Sequence, residues 1–484
     1  MVKTRSVKFN FAMNVILTAS TMIFPLITFP YISRILLPAG VGKVNFATSV
    51  VSYFSMIAML GVPVYGVRAC AQVRDNKEEL SRTVQEILFI NLIMGSVIYI
   101  FYFLALWNIA RLREDSALFY VMSTTIFFNV IGVEWLYKGL EQYSYITARS
   151  IVFKFIGLLL MFILVRDKED YVIYAAITIV AGVGSNILNF FYLRNYIDLH
   201  PVGHYHIRRH LKAVIVFFLM SVATTIYTNL DTVMLGFMKN DAEVGYYTAA
   251  VKVKTILVSF VTALSAVLLP RVSYYVEQGL QQEFLKVSRK ALNFVVVAAV
   301  PVTVYFILYA EEAILLLSGK DFGNAVLPMQ IIMPTVLFIG ITNVLGIQIL
   351  VPLGKEKLVF YSVLIGAIVD LFINAIYIPS MASAGAALGT VIAEFVVFIV
   401  QMLMLSRQAK DLFEEVQLGK ILAATGCGIL SCMWIRDMSW MNFWKLVASG
   451  SMFMCGYGIV LIIVKEKFVW NIVNEFVTRM KWKK

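Results

Sequence analysis

Apolar runs of about 18–25 residues return along the whole chain, parted by short polar connections. Each run is about long enough to cross a hydrocarbon core of ~30 Å. With no water to satisfy its backbone, each must be a helix. Fourteen such spans are predicted, among them 9–33 (span one), 43–66 (span two), 213–237 (span seven), 244–269 (span eight) and 326–350 (span ten). The fold class that follows is an all-α polytopic membrane protein. It has two pseudo-symmetric six-helix lobes and two extra C-terminal helices. The expected divisions are a first lobe at 1–200, a linker at 201–212, a second lobe at 213–410, the extra helices at 411–464 and a basic amphipathic tail at 465–484.

The two lobes echo each other at an offset of 203 positions: Val41-Gly42 returns as Val244-Gly245, Ala47 as Ala250 and Arg68 as Arg271. In the same register, Thr18, Thr21 and Thr28 answer to Ser221, Thr224 and Asp231. Duplication at a long fixed period is a common way to build a membrane transporter.

Composition agrees with the solvent inferred from the pattern. The chain is 60% hydrophobic and 14% charged, well below the charge content of a water-soluble domain. Lys and Arg are unevenly shared between the two sets of connections. With the N-terminus placed in the cytoplasm, 28 of the 41 fall on the cytoplasmic side and ten on the other. The net charge of +12 is thus read as positive-inside topology with both termini cytoplasmic, and not as a nucleic-acid signal. The first apolar run is too long for a cleavable signal peptide, so it is expected to stay as a helix. Cys70, Cys427, Cys432 and Cys455 offer no disulfide framework. No connection is long enough for a separate globular domain, so function must reside in the bundle. In the tail, Phe468, Ile472, Val473, Phe476, Val477 and Met480 recur at helical spacing between lysines. That suits either a helix lying on anionic lipids or a simple positive-inside anchor.

Polar residues inside the spans are the candidates for chemistry. Asn10, Asn14, Thr18, Thr21 and Thr28, with Pro25, form one stripe along span one, and Ser221, Thr224, Thr228 and Asp231 repeat it along span seven. Such a stripe faces a water-filled cavity or serves helix–helix hydrogen bonding. Ionisable residues within spans are Glu134, Lys154, Asp231, Lys252, Lys254, Asp370 and Glu394. Each would cost roughly 2.5–3.5 kcal/mol or more at mid-bilayer without a partner or water. Glu134 and Lys138, four apart, are expected to pair. Lys252 and Lys254 point to different sides of span eight, so one can face a cavity while the other meets a carboxylate such as Asp231 or Asp370. Asp231, Asp370 and Glu394 are the candidate ion-coupling groups. Arg68 and Arg271 suit snorkelling to headgroups equally well. His200, His204, His206 and His210 crowd one connection, but Pro201 and Gly203 break any helix there and no cysteine joins them, so a solvated linker is expected instead of a metal site. Bends are expected at Pro25, Pro30, Gly61, Pro63, Pro270 and Pro301. No phosphate-cradling loop and no nucleophile constellation is present, which argues against ATP hydrolysis and catalysis by this chain.

Several stretches carry a resemblance to a known family. They are Pro30-Tyr31-Ile32-Ser33-Arg34-Ile35-Leu36; Tyr53-Phe54, Leu60-Gly61 and Tyr65-Gly66-Val67-Arg68; Trp135 with Gly139-Leu140-Glu141; Asn229-Leu230-Asp231-Thr232-Val233-Met234-Leu235-Gly236; and Val244-Gly245-Tyr246-Tyr247 with Ala249-Ala250. In these the chain resembles the bacterial oligosaccharide-lipid flippases of the Wzx type, within the multidrug/oligosaccharidyl-lipid/polysaccharide (MOP) exporter superfamily. The resemblance implies a V-shaped pair of six-helix lobes in a bacterial inner membrane. It implies alternating access that carries an undecaprenyl-diphosphate-linked oligosaccharide from the cytoplasmic to the outer leaflet. Cations holding the diphosphate would be Arg34, Arg68 and Lys252, with Lys254 beside them. Coupling to a proton or sodium gradient is implied, with no other cofactor. The implied partners are membrane lipids and, among proteins, the polysaccharide polymerase and chain-length proteins. A cation-coupled multidrug exporter of the same superfamily, or a flippase for another lipid-linked precursor, is the alternative. Two extra helices argue against the exporter, since a small soluble drug gives them no evident purpose.

Overall fold

The structure is a computed structural model that describes residues 6–405 and 411–481. Lys3, Arg5, Arg407, Lys410 and tail residues 482–484 lie outside the described residues, as do the side chains of Lys8, Phe476, Val477 and Met480. Every regular element among the described residues is helical. Twelve helices are long and apolar enough to cross a membrane, or thirteen if the bent pair Lys320–Ile332 and Thr335–Leu350 is one span. The count among the described residues falls short of fourteen because predicted spans one and two belong to one element, Phe9–Val73, and span ten is the bent pair.

That element is 65 residues long, which at ~1.5 Å per residue would reach about 100 Å if straight. It therefore has to turn back. Leu37 takes φ 58° and ψ 176°, with Pro38 next, and breaks the helix there. The side-chain contacts show the reversal. Before the break, Met13, Ser20 and Tyr31 meet Thr147, Lys154 and Val165 in turn, at 3.0, 2.7 and 2.9 Å. After it, Lys43, Phe46 and Ser55 meet Asp115, Phe119 and Asn129. The segment before the break runs with the helix Tyr143–Leu164, and the one after it with the helix Ser116–Ile131. Pro25 and Pro30 stay inside the helix, so the fold-back falls at Leu37-Pro38 instead. A second break, at Leu60 (φ 46°) and Gly61 (φ 72°), starts the helix Val62–Val73 with Pro63 in its first turn, as the sequence suggests. Pro270 and Pro301 lie within continuous helices.

Contacts divide the chain into two units, Met1–Gly245 and Tyr246–Lys484. In the first, the helix Lys77–Asn108 begins at Asn76, whose side chain accepts from the amides of Glu78 and Glu79. The two glutamates of its first turn favour the positive end of the helix dipole. The helix Arg208–Met238, which holds span seven, packs in this unit against the part of Val7–Met59 after Leu37. The first residue of the following helix, Asp241–Glu277, approaches Val7–Met59 through backbone. A Cβ on Gly42 would lie 1.7 Å from the Asp241 carbonyl oxygen, so only glycine fits that position.

In the second unit, Glu356–Met381 packs along Ser383–Leu405. Predicted span ten is bent by 45° where Pro334 interrupts it. The extra helices Leu418–Cys432 and Asn442–Ile463 are held by buried tyrosines. Tyr309 donates to the Cys432 carbonyl at 2.7 Å, Tyr457 to that of Val297 at 2.7 Å, and Tyr305 meets Ser449 at 2.9 Å. All four cysteines are free. The tail forms the helix Lys467–Lys481, with the Phe468 ring against Phe294.

Candidate functional site

On span one, Asn14, Thr18 and Thr21 are exposed, Thr28 is half-buried and Asn10 is buried. Two of its hydroxyls are satisfied by their own helix: Thr21 donates to the Thr18 carbonyl at 2.7 Å and Thr28 to that of Pro25 at 3.5 Å. Span seven repeats this. Ser221, Thr224 and Thr228 donate to carbonyls four residues earlier at 3.1, 3.0 and 2.9 Å. Thr224 and Thr228 are exposed, Ser221 is half-buried and Asp231 is buried. Each stripe is thus a face that its own unit does not seal, most of whose hydroxyls bond within their own helix.

The cations are spread out. Arg34 and Arg68 are both exposed but occupy opposite ends of the first unit. Arg34 donates to the Pro30 carbonyl beside the Leu37 turn, whereas Arg68 is on Val62–Val73 with Tyr65, which meets His210. About 20 helical residues, or ~30 Å, part them, too far for one diphosphate to touch both. Lys154 turns from the stripe to donate to Ser20. Arg149, counted with the connections in the sequence, is buried. It reaches Glu134 at 2.8 Å, Ser185 at 2.6 Å and Asn186 at 3.3 Å, while Glu134 also pairs with Lys138 at 2.8 Å as its spacing suggests.

In the second unit, Lys252 and Lys254 are both half-buried near the start of span eight. No carboxylate among the described residues forms an ion pair with Lys252. Five residues before it, the Tyr247 hydroxyl meets Thr390 Oγ1 at 2.9 Å. Around Thr390 the fold gathers acid and amide groups. Asp370 is 2% exposed, Asn374 0% and Glu394 6%. A Cβ at Gly389 would sit 2.2 Å from Asn374 Oδ1 and 2.9 Å from Asp370 Oδ1, so a missing side chain makes room for both. Glu394 lies one turn beyond Thr390 on the same helix.

The four histidines part company. His200, His204 and His206 are exposed and His210 is buried. Among the described residues no group of three or more His, Cys, Asp or Glu could hold a metal ion. The 196–207 connection is also docked, where the sequence suggests a solvated linker. Gln85 donates to the carbonyls of Asp198 and His200, Arg82 to that of Val202, and Lys77 pairs with Asp198. Sequence reasoning missed Glu86, which is 1% exposed, because it stands two residues inside the edge of a predicted span.

The fold defines the class. It is that of "Lipid II flippase MurJ, inward closed conformation", with a TM-score of 0.74 over 94% of this chain and 98% of that one at 15% identity. An inward-facing multidrug resistance MATE transporter of the MOP superfamily follows at 0.64, over 81% of this chain and 99% of the other at 14% identity. The chain belongs to the polysaccharide biosynthesis protein family, whose model matches residues 7–276. Its fold is thus one shared with a lipid flippase and with a multidrug transporter of the MOP superfamily. Its relatives include a protein named "Putative O-antigen transporter" in Escherichia coli K12, 23% identical over 73% of this chain and 85% of that one. The protein of the same name in Shigella dysenteriae is 24% identical over 75% and 91%.

Proposed function

We propose that the protein flips an undecaprenyl-diphosphate-linked oligosaccharide from the cytoplasmic to the outer leaflet of a bacterial inner membrane by alternating access, with both termini cytoplasmic. The observation that carries this reading is Lys252, half-buried in a span and without a carboxylate in ion-pair contact among the described residues. A buried ammonium needs an anion, and the diphosphate of a lipid-linked sugar supplies one through charge-assisted contacts. Lys254 is the second cation of span eight. Arg34 and Arg68, too far apart to act together, meet the headgroup at entry and at exit. The stripes of Asn14, Thr18, Thr21 and Thr28, and of Ser221, Thr224 and Thr228, offer an amide and hydroxyls to a hydrated sugar.

The buried acids Asp370 and Glu394, with Asp231, are the groups we assign to coupling with a proton or sodium gradient. Alternating access needs two packings that differ by a few kcal/mol, and an ion that binds one better tips the balance. The polymerase and chain-length proteins would act on what the flippase delivers. Deletion of the gene followed by mass analysis of lipid-linked sugars tests the reading. The expected result is a trapped lipid-diphosphate oligosaccharide. An unchanged lipid pool together with heightened sensitivity to cationic drugs would replace it with the multidrug exporter.

A further inference from the structure

Three elements of the first unit converge on one buried carboxylate. Glu86, on the helix Lys77–Asn108, has a fully buried side chain. His210, in the first turn of Arg208–Met238, places Nε2 2.6 Å from Glu86 Oε2. Tyr65, on Val62–Val73, holds its hydroxyl 2.6 Å from Nδ1 of the same ring. Arg209 reaches Glu86 Oε2 at 2.8 Å and Thr83 Oγ1 at 3.3 Å. The His206 amide donates to Glu86 Oε1. Arg209 Nε stands 3.0 Å from the carboxylate and 3.3 Å from His210 Nε2. Since Nε2 must carry hydrogen to lie so near a carboxylate oxygen, that guanidinium proton goes to Glu86.

We propose that the Tyr65–His210–Glu86 chain is a proton-binding site whose occupancy sets how firmly the 196–207 linker is clasped to the helix Lys77–Asn108. The neutral ring donates from Nε2 to Glu86 and accepts at Nδ1 from the Tyr65 hydroxyl. When a proton arrives from solvent at Nδ1, the ring donates on both sides, and the hydroxyl hydrogen swings away so that the Tyr65 oxygen accepts. One proton is taken up, no covalent bond breaks and no hydrogen bond is lost. Burial opposes a charged ring, and a carboxylate at hydrogen-bond distance favours it. Arg209 from the same helix opposes a second cation. From Val62–Val73 the charged Arg68 and the thiol of Cys70 act on Tyr65.

Two features set this apart from an inert buried pair. Histidine is the side chain whose ordinary range, about pH 5–8, coincides with the pH of cells and their surroundings. The carboxylate that answers the ring also anchors the linker through the His206 amide, and its neighbour Gln85 holds the Asp198 and His200 carbonyls and the Tyr205 hydroxyl. Burial beside Arg209 outweighs the pull of the carboxylate, so a charged ring is held less well here than in water and proton uptake loosens that clasp.

Hydrogen exchange of the purified full-length protein, followed by mass spectrometry with the intrinsic pH dependence removed, tests this. No cargo is needed, so failure here would leave the transport reading untouched. Protection of the 197–210 amides is expected to fall about ten-fold between about pH 8 and pH 5. His210→Gln removes that dependence, and His204→Gln at an exposed ring retains it. Tyr65→Phe keeps the Glu86 contact but deletes the oxygen that accepts the second ring proton, so the midpoint moves to lower pH. Protection that does not change with pH, a His210→Gln profile like the parent's, or an unmoved midpoint in Tyr65→Phe would each overturn the proposal.

Discussion

The two units treat buried charge in opposite ways. The first pairs it. Arg149 is answered by Glu134, Lys43 by Asp115, Arg111 by Asp241, and Arg209 and His210 by Glu86. Each pair joins different helices or turns, so the charges brace the frame. The second unit is held by close packing of small residues and by tyrosine hydroxyls; it gathers Asp370, Asn374 and Glu394 near Thr390 and leaves Lys252 half-buried on span eight. A charge locked to a neighbour in its own unit gives stability and register. A charge left without one, as Lys252 is, fits a group that changes partner during a cycle. The first unit thus reads as the more heavily braced of the two.

The comparison can be broken by asking which charges matter to the fold. Glu134→Ala should have the largest effect. It leaves the buried Arg149 without a carboxylate; because Glu134 itself is 36% exposed, the cost is about 2–4 kcal/mol, less than for a fully buried pair. Thermal unfolding in detergent should show the loss, and a midpoint equal to the parent's would remove the bracing argument. Gly389→Ala comes next. Its Cβ would press on Asn374 and Asp370, and overpacking of this kind costs about 1–3 kcal/mol. The same melt reads it, and an unshifted midpoint would mean that the acid region is looser than its geometry. Smallest is Lys77→Ala, because the Lys77–Asp198 pair is 60% and 53% exposed. Such pairs contribute about 0–1 kcal/mol, so the melt should not move.

Much of this architecture is legible in the sequence, because crossing a bilayer demands a run of apolar residues whatever the fold. The spans, the polar stripes and the Glu134–Lys138 pair follow from local spacing alone. What spacing does not carry is contact across the chain. Arg149 looks like a connection residue beside Tyr143 and Tyr145, and only the arrival of Ser185 and Glu134 makes it a buried brace. Leu37 gives no turn signal of its own, yet its backbone reverses the chain while Pro25 and Pro30 remain in the helix. His210 belongs to a run of four histidines with a loop-like spacing, and its burial depends on Glu86, 124 residues earlier. The candidate site is legible in part for the same reason. Lys252, Asp370 and Glu394 stand out as charges inside spans, whereas Asn374 and Gly389 acquire meaning only when two helices pack.

The central claim is tested most directly by reconstitution. Purified protein in vesicles that hold a fluorescent lipid-diphosphate oligosaccharide should carry it between leaflets, followed by its loss to a membrane-impermeant quencher. Lys252→Ala, at an equal amount of folded protein, should slow transfer about ten-fold or more, and Lys252→Arg, which keeps the charge, should slow it less. Transfer by Lys252→Ala at the parent's rate would contradict the account.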